Sequence, residues 1–181
     1  MAFVIVPGIG GSGEAHWQSL WEQSWGDEAI RIEPPSWNEP VLDDWVAAIE
    51  RAVSVVEARG DEVVLIAHSL GCWAVSTWLQ GAAEARAHGA LLVAPPDPEG
   101  ASFPAASAPT FLKATASPLP CPSIVIASTN DPYGDVHHAE QFARARGSDL
   151  EVVGEFGHLN AASGLGDWPA GREILARLTT P

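Results

Sequence analysis

Residues 64–73 read Val64-Leu65-Ile66-Ala67-His68-Ser69-Leu70-Gly71-Cys72-Trp73, four apolar residues running into a serine that has Ala two positions before it and Gly two positions after. A short β-branched run of this kind reads as a buried strand, here over Val63–Ala67, and the apolar spacing of Leu70–Gln80 reads as a helix. Ser69 therefore stands where a strand turns into a helix, and it has two readings. As the N-cap of that helix it would accept a backbone hydrogen bond, a common use of serine. As a nucleophile it would occupy a strained turn, where the residues two before and two after must be small so that strand and helix can approach. Ala67 and Gly71 meet that need, with Ala67 in place of the commoner first glycine of G-x-S-x-G.

Outward from this stretch, apolar runs alternate with amphipathic segments. Strands are predicted at Phe3–Val6, Ile30–Glu33, Val63–Ala67, Ala90–Ala94, Ser123–Ser128 and Leu150–Val153. Helices are predicted at Glu14–Trp25, Val41–Ala58, Leu70–Gln80, Val136–Arg146 and Pro169–Leu178. Such alternation is the signature of a doubly wound parallel sheet, whose ligand site lies outside the carboxyl ends of the strands. Pro95 to Pro122 breaks the pattern with eight prolines, which predicts an irregular excursion with at most a short helix near Phe111–Ala114. No internal repeat or low-complexity tail is present.

The order of the remaining polar residues decides between the two readings of Ser69. In "IVIASTNDPYG" Asp131 follows a predicted strand, and in "VVGEFGHLN" His158 follows the next. Both reach the edge that carries Ser69, in the order serine, acid, histidine found in this fold class. Imidazole can take the serine proton and return it to a leaving group, while a carboxylate holds its tautomer and stabilises the imidazolium. Singly, Asp131 before Pro132 reads equally well as a turn former, Asp135 as a helix cap, and His158 as a loop residue. Three independent accidents at three strand ends are a poor explanation, so Ser69, Asp131 and His158 are expected to form a catalytic triad.

A developing oxyanion needs two backbone N–H donors. Leu70, after the serine, is one; Ile9 is the expected second, with Gly10 as its alternative, from "PGIGGSG" after the first strand. The G-K-[ST] ending of a phosphate loop is absent. His16, near this loop, is a candidate to touch substrate, and Phe103, Phe111 and Leu112 of the proline-rich excursion are candidates to wall a shallow acyl pocket. His68 is expected to pack with its side chain turned to the other side of the elbow. His137 and His138 are adjacent on a helix and do not share a face, so no metal site is expected. Trp17, Trp21 and Trp25 recur every four residues and read as a core face in preference to a substrate pocket.

The 181 residues, 46% hydrophobic, suffice for one sizeable core and predict a single domain over 1–181. The formal charge of −14, from 23 acidic and 9 basic residues, repels phosphate backbones and anionic membranes, so nucleic acid and membrane partners are not expected. The start, MAFVIVPGIGG, has no basic leader, and proline and glycines cut its apolar run short; a cytoplasmic location is expected. Cys72 and Cys121, far apart and without metal or redox spacing, read as reduced thiols.

The segments "VPGIGGSGEAHWQ", "PSWNEPVLDDW", "LIAHSLGCWA", "LLVAPPD", "STNDPYG" and "GHLNAASGLGDWPAG" resemble the small serine hydrolases that include retinoblastoma-binding protein 9 and bacterial proteins of the YdeN type. The resemblance spans nearly the whole chain. It implies a compact α/β-hydrolase fold, a doubly wound and mostly parallel sheet of about six strands in the order 2-1-3-4-5-6 without a large cap domain, no cofactor, and a triad on Ser69, Asp131 and His158. Pro7-Gly8 stands where larger hydrolases have His-Gly. The expected activity is cleavage of a small carboxylic ester, with thioester and amide as alternatives, through an acyl-enzyme. The alternative from another class is a catalytically weak protein-binding module on the same scaffold. A monomer or homodimer is expected.

Overall fold

Strand β3 (Val63–His68) is buried along its whole length, and its side chains divide with a period of two between two cores. Val63, Leu65 and Ala67 face one, Val64 and Ile66 the other, as the pleat requires. The same division recurs in β1 (Ala2–Val6), β4 (Gly89–Val93) and β5 (Ser123–Ser128). Runs this uniformly apolar suit only a sheet covered on both faces. The computed structural model describes residues 1–81 and 86–179.

With β2 (Ala29–Arg31) and β6 (Asp149–Val153) at its edges, the sheet has the order β2-β1-β3-β4-β5-β6, and every neighbouring pair is parallel. This is the predicted order. Helices α2 (Leu42–Ala58), α3 (Leu70–Gly81) and α4 (Val136–Arg146) cover one face, with Trp45, Ile49, Trp73, Leu79 and Phe142 in its core. Helices α1 (Trp17–Trp25) and α5 (Pro169–Thr179) cover the other with Trp17, Trp21, Leu175 and Leu178. The tryptophan stripe of α1 is thus a core face. Trp17 and Trp21 pack edge to face at 4.7 Å, and Trp25 stacks on Phe3 at 4.1 Å.

Most element boundaries lie within one residue of the sequence reading, and three differences are larger. Helix α1 begins at Trp17 instead of Glu14, because the His16 ring caps it by accepting from the Gln18 amide. β2 ends at Arg31, two residues early, just before Pro34 and Pro35 turn the chain. The proline-rich excursion forms a 3-10 turn at Pro109–Lys113, with Pro109 at its start where a missing N–H costs nothing.

Candidate functional site

β3 ends at His68 and α3 begins at Leu70, so Ser69 alone makes the turn, at φ 54°. An N-cap residue has extended backbone; left-handed backbone at a serine is strained by about 1–3 kcal/mol and identifies an elbow. The turn depends on its small neighbours. A Cβ at Gly71 would overlap the Val6 carbonyl oxygen and lie 2.6 Å from that of Pro7, and one at Gly8 would lie 2.7 Å from the Ser69 Cβ. The described non-glycine residues with left-handed φ are Ser12, Ser69, Ala94, Leu159 and Trp168. All lie in segments leaving carboxyl ends of strands, which concentrates strain at one edge of the sheet.

That edge brings the three predicted residues together. Ser69 Oγ is 2.9 Å from His158 Nε2. His158 Nδ1 is 2.9 and 2.8 Å from the two Asp131 oxygens. The side chains of His158 and Asp131 are only 9% and 3% exposed, so solvent screens the interaction between them weakly. Asp131 also accepts from the Tyr133 amide at 2.9 Å, so the turn-forming and acidic readings of this residue hold together. Asp135 instead caps α4, accepting from the His138 amide.

The loop that carries His158 is held at four consecutive residues. The amides of Phe156 and Gly157 donate to Ser128 Oγ and Asn130 Oδ1 at 3.0 and 2.6 Å. The carbonyls of His158 and Leu159 accept from His68 Nε2 and Trp17 Nε1, both at 2.8 Å. His68 therefore lies on the site side of the elbow, contrary to the sequence reading. As the last residue of β3, His68 follows the pleat to the side of Val64 and Ile66, where its ring meets Trp17 and the His158 loop. Burial holds the His68 pKa well below the ordinary histidine value, with His158 and His16 adding to the effect, so its ring is neutral. Its donation through Nε2 leaves Nδ1 unprotonated.

On the opposite wall, the glycine-rich loop turns at Gly8–Gly11, with the Gly11 amide donating to the Gly8 carbonyl at 3.1 Å and Gly10 at φ 81°. Only glycine takes this position of a type II turn without strain. The Gly10 amide donates to the Trp37 carbonyl at 3.0 Å, which removes Gly10 as an oxyanion donor: the same turn that exposes the loop turns its second amide inward. The Ile9 amide donates to no described residue, and that of Leu70, in the first turn of α3, has no intrahelical acceptor. Arg31 pins the loop from below through the Gly11 and Ser12 carbonyls. Buried Gln18 bridges the carbonyls of Val6 and Ile66 and accepts from Ser12. Sequence reading missed these supports because their partners are main-chain atoms that no side-chain pattern marks.

A cavity of about 460 Å³ lies between these walls, reaching Ser69 and His158 and bounded by Ile9, His16, Pro104 and Tyr133 among others. His16 is thus in the wall as expected, 4% exposed, its pKa pushed down to about 4 by burial first and then by Arg31 and His158. The other three candidates for the acyl wall are corrected. Phe111 is fully buried against Trp45, ring centres 5.4 Å apart, in the core beneath α2. Phe103 joins the same core, and Leu112, on the outer side of the 3-10 turn, is exposed. Apolar residues in a proline-rich excursion find the larger gain in the core, and Pro104 and Pro96 remain to face the cavity. Tyr133, which the sequence reading passed over, sets its ring 4.4 Å from that of His158.

A parallel sheet in this order, with a strained serine between strand and helix, defines an α/β-hydrolase. The model of the serine hydrolase family matches residues 3–177, and the chain belongs to that family. It is similar to the YdeN-like hydrolase of Pectobacterium atrosepticum, at 36% identity over 98% of this chain and 90% of that one, with a TM-score of 0.83. The ydeN gene product of B. subtilis is 23% identical over the full length of both chains, with a TM-score of 0.76. A thermophilic esterase of Thermogutta terrifontis, with malate bound, shares the fold at 16% identity over 99% of this chain and 91% of that one, with a TM-score of 0.67. No curated protein matches the chain.

Proposed function

We propose that the chain hydrolyses small, uncharged carboxylic esters through Ser69, His158 and Asp131. The observation that carries this reading is the unbroken line from Asp131 through His158 to Ser69 Oγ at hydrogen-bond distances, ending at the mouth of a cavity. His158 Nε2 takes the Ser69 proton as Oγ bonds to the ester carbonyl carbon. The carbonyl oxygen becomes an oxyanion and receives the free amides of Leu70 and Ile9. Collapse breaks the bond to the alkoxy oxygen, which leaves as alcohol with the proton from His158, and Asp131 stabilises the transient imidazolium. Water, giving a proton to His158 Nε2, then bonds to the acyl carbon; the bond to Ser69 Oγ breaks, Oγ recovers the proton from His158, and the acid leaves.

Among the described residues bounding the cavity, none is Lys, Arg, Asp or Glu. With the net charge of −14, this favours neutral acyl groups over anionic ones. A half-buried Cys121 and a buried Cys72, both free, suit a reducing compartment, and we place the protein in the cytoplasm. None of the described helices is long and apolar enough to cross a membrane. Hydrolysis of p-nitrophenyl acetate by the wild type and by Ser69→Ala tests the reading. Turnover that vanishes in the variant, with unchanged circular dichroism, agrees with it. Equal turnover in both contradicts it, and absence of turnover in the wild type favours a binding role for the site.

A further inference from the structure

Five side chains hold the backbone at residues 156–159: Ser163 of the same loop, His68, and three from positions remote from the elbow, Ser128 and Asn130 at and after the end of β5 and Trp17 on α1. His68 differs, because it is the residue immediately before Ser69. Its ring passes from the nucleophile's own strand to the main-chain carbonyl of His158, 2.8 Å away. The two rings lie 4.9 Å apart. On its other side the His68 ring meets the edge of His16 at 4.8 Å and that of Trp17 at 6.2 Å, and it is 4% exposed. Packing thus leaves it little rotational freedom.

We propose that His68 is a positioning residue, whose Nε2–H ties the backbone of His158 to the nucleophile elbow and so sets the Ser69 Oγ to His158 Nε2 distance. The role rests on the triad reading. Any drift of the loop relative to β3 changes the 2.9 Å separation across which the proton must pass, and the hydrogen bond from His68, one peptide bond away from Ser69, opposes it. A neutral ring suits the task. An imidazolium at this place would repel the charge that His158 acquires in the transition state, whereas a neutral Nε2–H anchors the carbonyl without that cost. The groups facing His68 from packed elements are His16, Trp17 and His158, and none of them offers it a carboxylate.

The test compares His68→Gln, whose amide extends to the place of Nε2, with His68→Asn, whose amide stops short at the place of Nδ1. Both keep a polar group in the site, and thermal melts verify folding. We measure kcat and KM separately for p-nitrophenyl acetate, the inactivation rate with a fluorophosphonate, and the far-downfield proton resonance of the His158 to Asp131 hydrogen bond. A base misplaced by a fraction of an ångström to an ångström loses roughly 10- to 100-fold in rate. His68→Asn should therefore lose that much in kcat and in inactivation rate with KM little changed, and its downfield resonance should shift or broaden. His68→Gln should recover most of the loss. Wild-type kinetics and resonance in folded His68→Asn overturn the proposal, as does equal impairment of the two variants. A wild type whose Ser69 does not react overturns the triad reading itself, and the positioning role with it.

Discussion

The fold opposes the ionisation of His16. The unfolded chain carries an ordinary histidine at this position, and the folded chain holds its pKa down to about 4, through burial foremost. Between these two values the unfolded state binds more protons, so stability is whole above the ordinary value and is lost as pH falls through the window between about 6.5 and 4. At about 1.4 kcal/mol for each pH unit of that window, His16 costs the fold about 3 kcal/mol at pH 4. For a chain of this length about 3 kcal/mol corresponds to roughly 6–12 °C in melting temperature. The perturbation that isolates the effect is His16→Asn. Asparagine caps helices well and can replace the ring nitrogen that accepts from the Gln18 amide, but it does not titrate. Relief of carboxylate repulsion affects both proteins and cancels in the difference, and because His16 itself helps to depress the His68 pKa, the variant also eases protonation of His68, which widens the divergence in acid. Thermal unfolding followed by circular dichroism from pH 7.5 to pH 4 should give two curves with a small constant offset near neutrality. They should then diverge in acid, with the variant melting higher. Parallel curves across the whole range would refute the assignment of a buried, uncharged imidazole at this position.

Asp131→Asn should lower kcat by roughly three to four orders of magnitude, since the amide no longer holds the His158 tautomer, whereas Asp135→Asn should retain activity because asparagine also caps α4; steady-state kinetics on both distinguish them. Gly71→Ala places a methyl group against the carbonyls of Val6 and Pro7, and should cost about 1–3 kcal/mol in urea unfolding and abolish turnover by moving the elbow. Across p-nitrophenyl acetate, propionate and butyrate, each methylene buried against Pro104 and Tyr133 contributes about 0.8 kcal/mol, close to fourfold in kcat/KM, and longer chains should add nothing; a maximum at chains of about ten carbons, where many methylenes are buried, would mean a deep tunnel.

The sheet was readable in the sequence because its four inner strands, β1, β3, β4 and β5, are apolar runs closed by glycine, proline or a polar turn, and a doubly covered parallel sheet makes that pattern obligatory there. The three site residues were readable for a related reason. Parallel topology sends every strand end to one edge, so Ser69, Asp131 and His158 converge once their strands are known. What remained hidden depended on choices between two burials. Phe111 in a proline-rich segment had the cavity and the core open to it, and only the packing of Trp45 on α2 decides for the core. Gly10 and Ile9 are neighbours in one glycine-rich turn, and the Trp37 carbonyl, which no local pattern links to them, takes up one amide and leaves the other free. His68 is legible only once the ladder is seen to run one residue past the apolar side chains, because it then continues the alternation of Val64 and Ile66 and faces their side.

The central claim is that Ser69 is an activated nucleophile, and covalent labelling tests it most directly. Intact protein is incubated with a fluorophosphonate at neutral pH, its mass is measured, and the modified peptide is sequenced. One phosphonyl group should add per chain, located on Ser69, and should be lost in His158→Ala although the serine is still present. Labelling of another residue, or of Ser69 at an unchanged rate without His158, would contradict the claim.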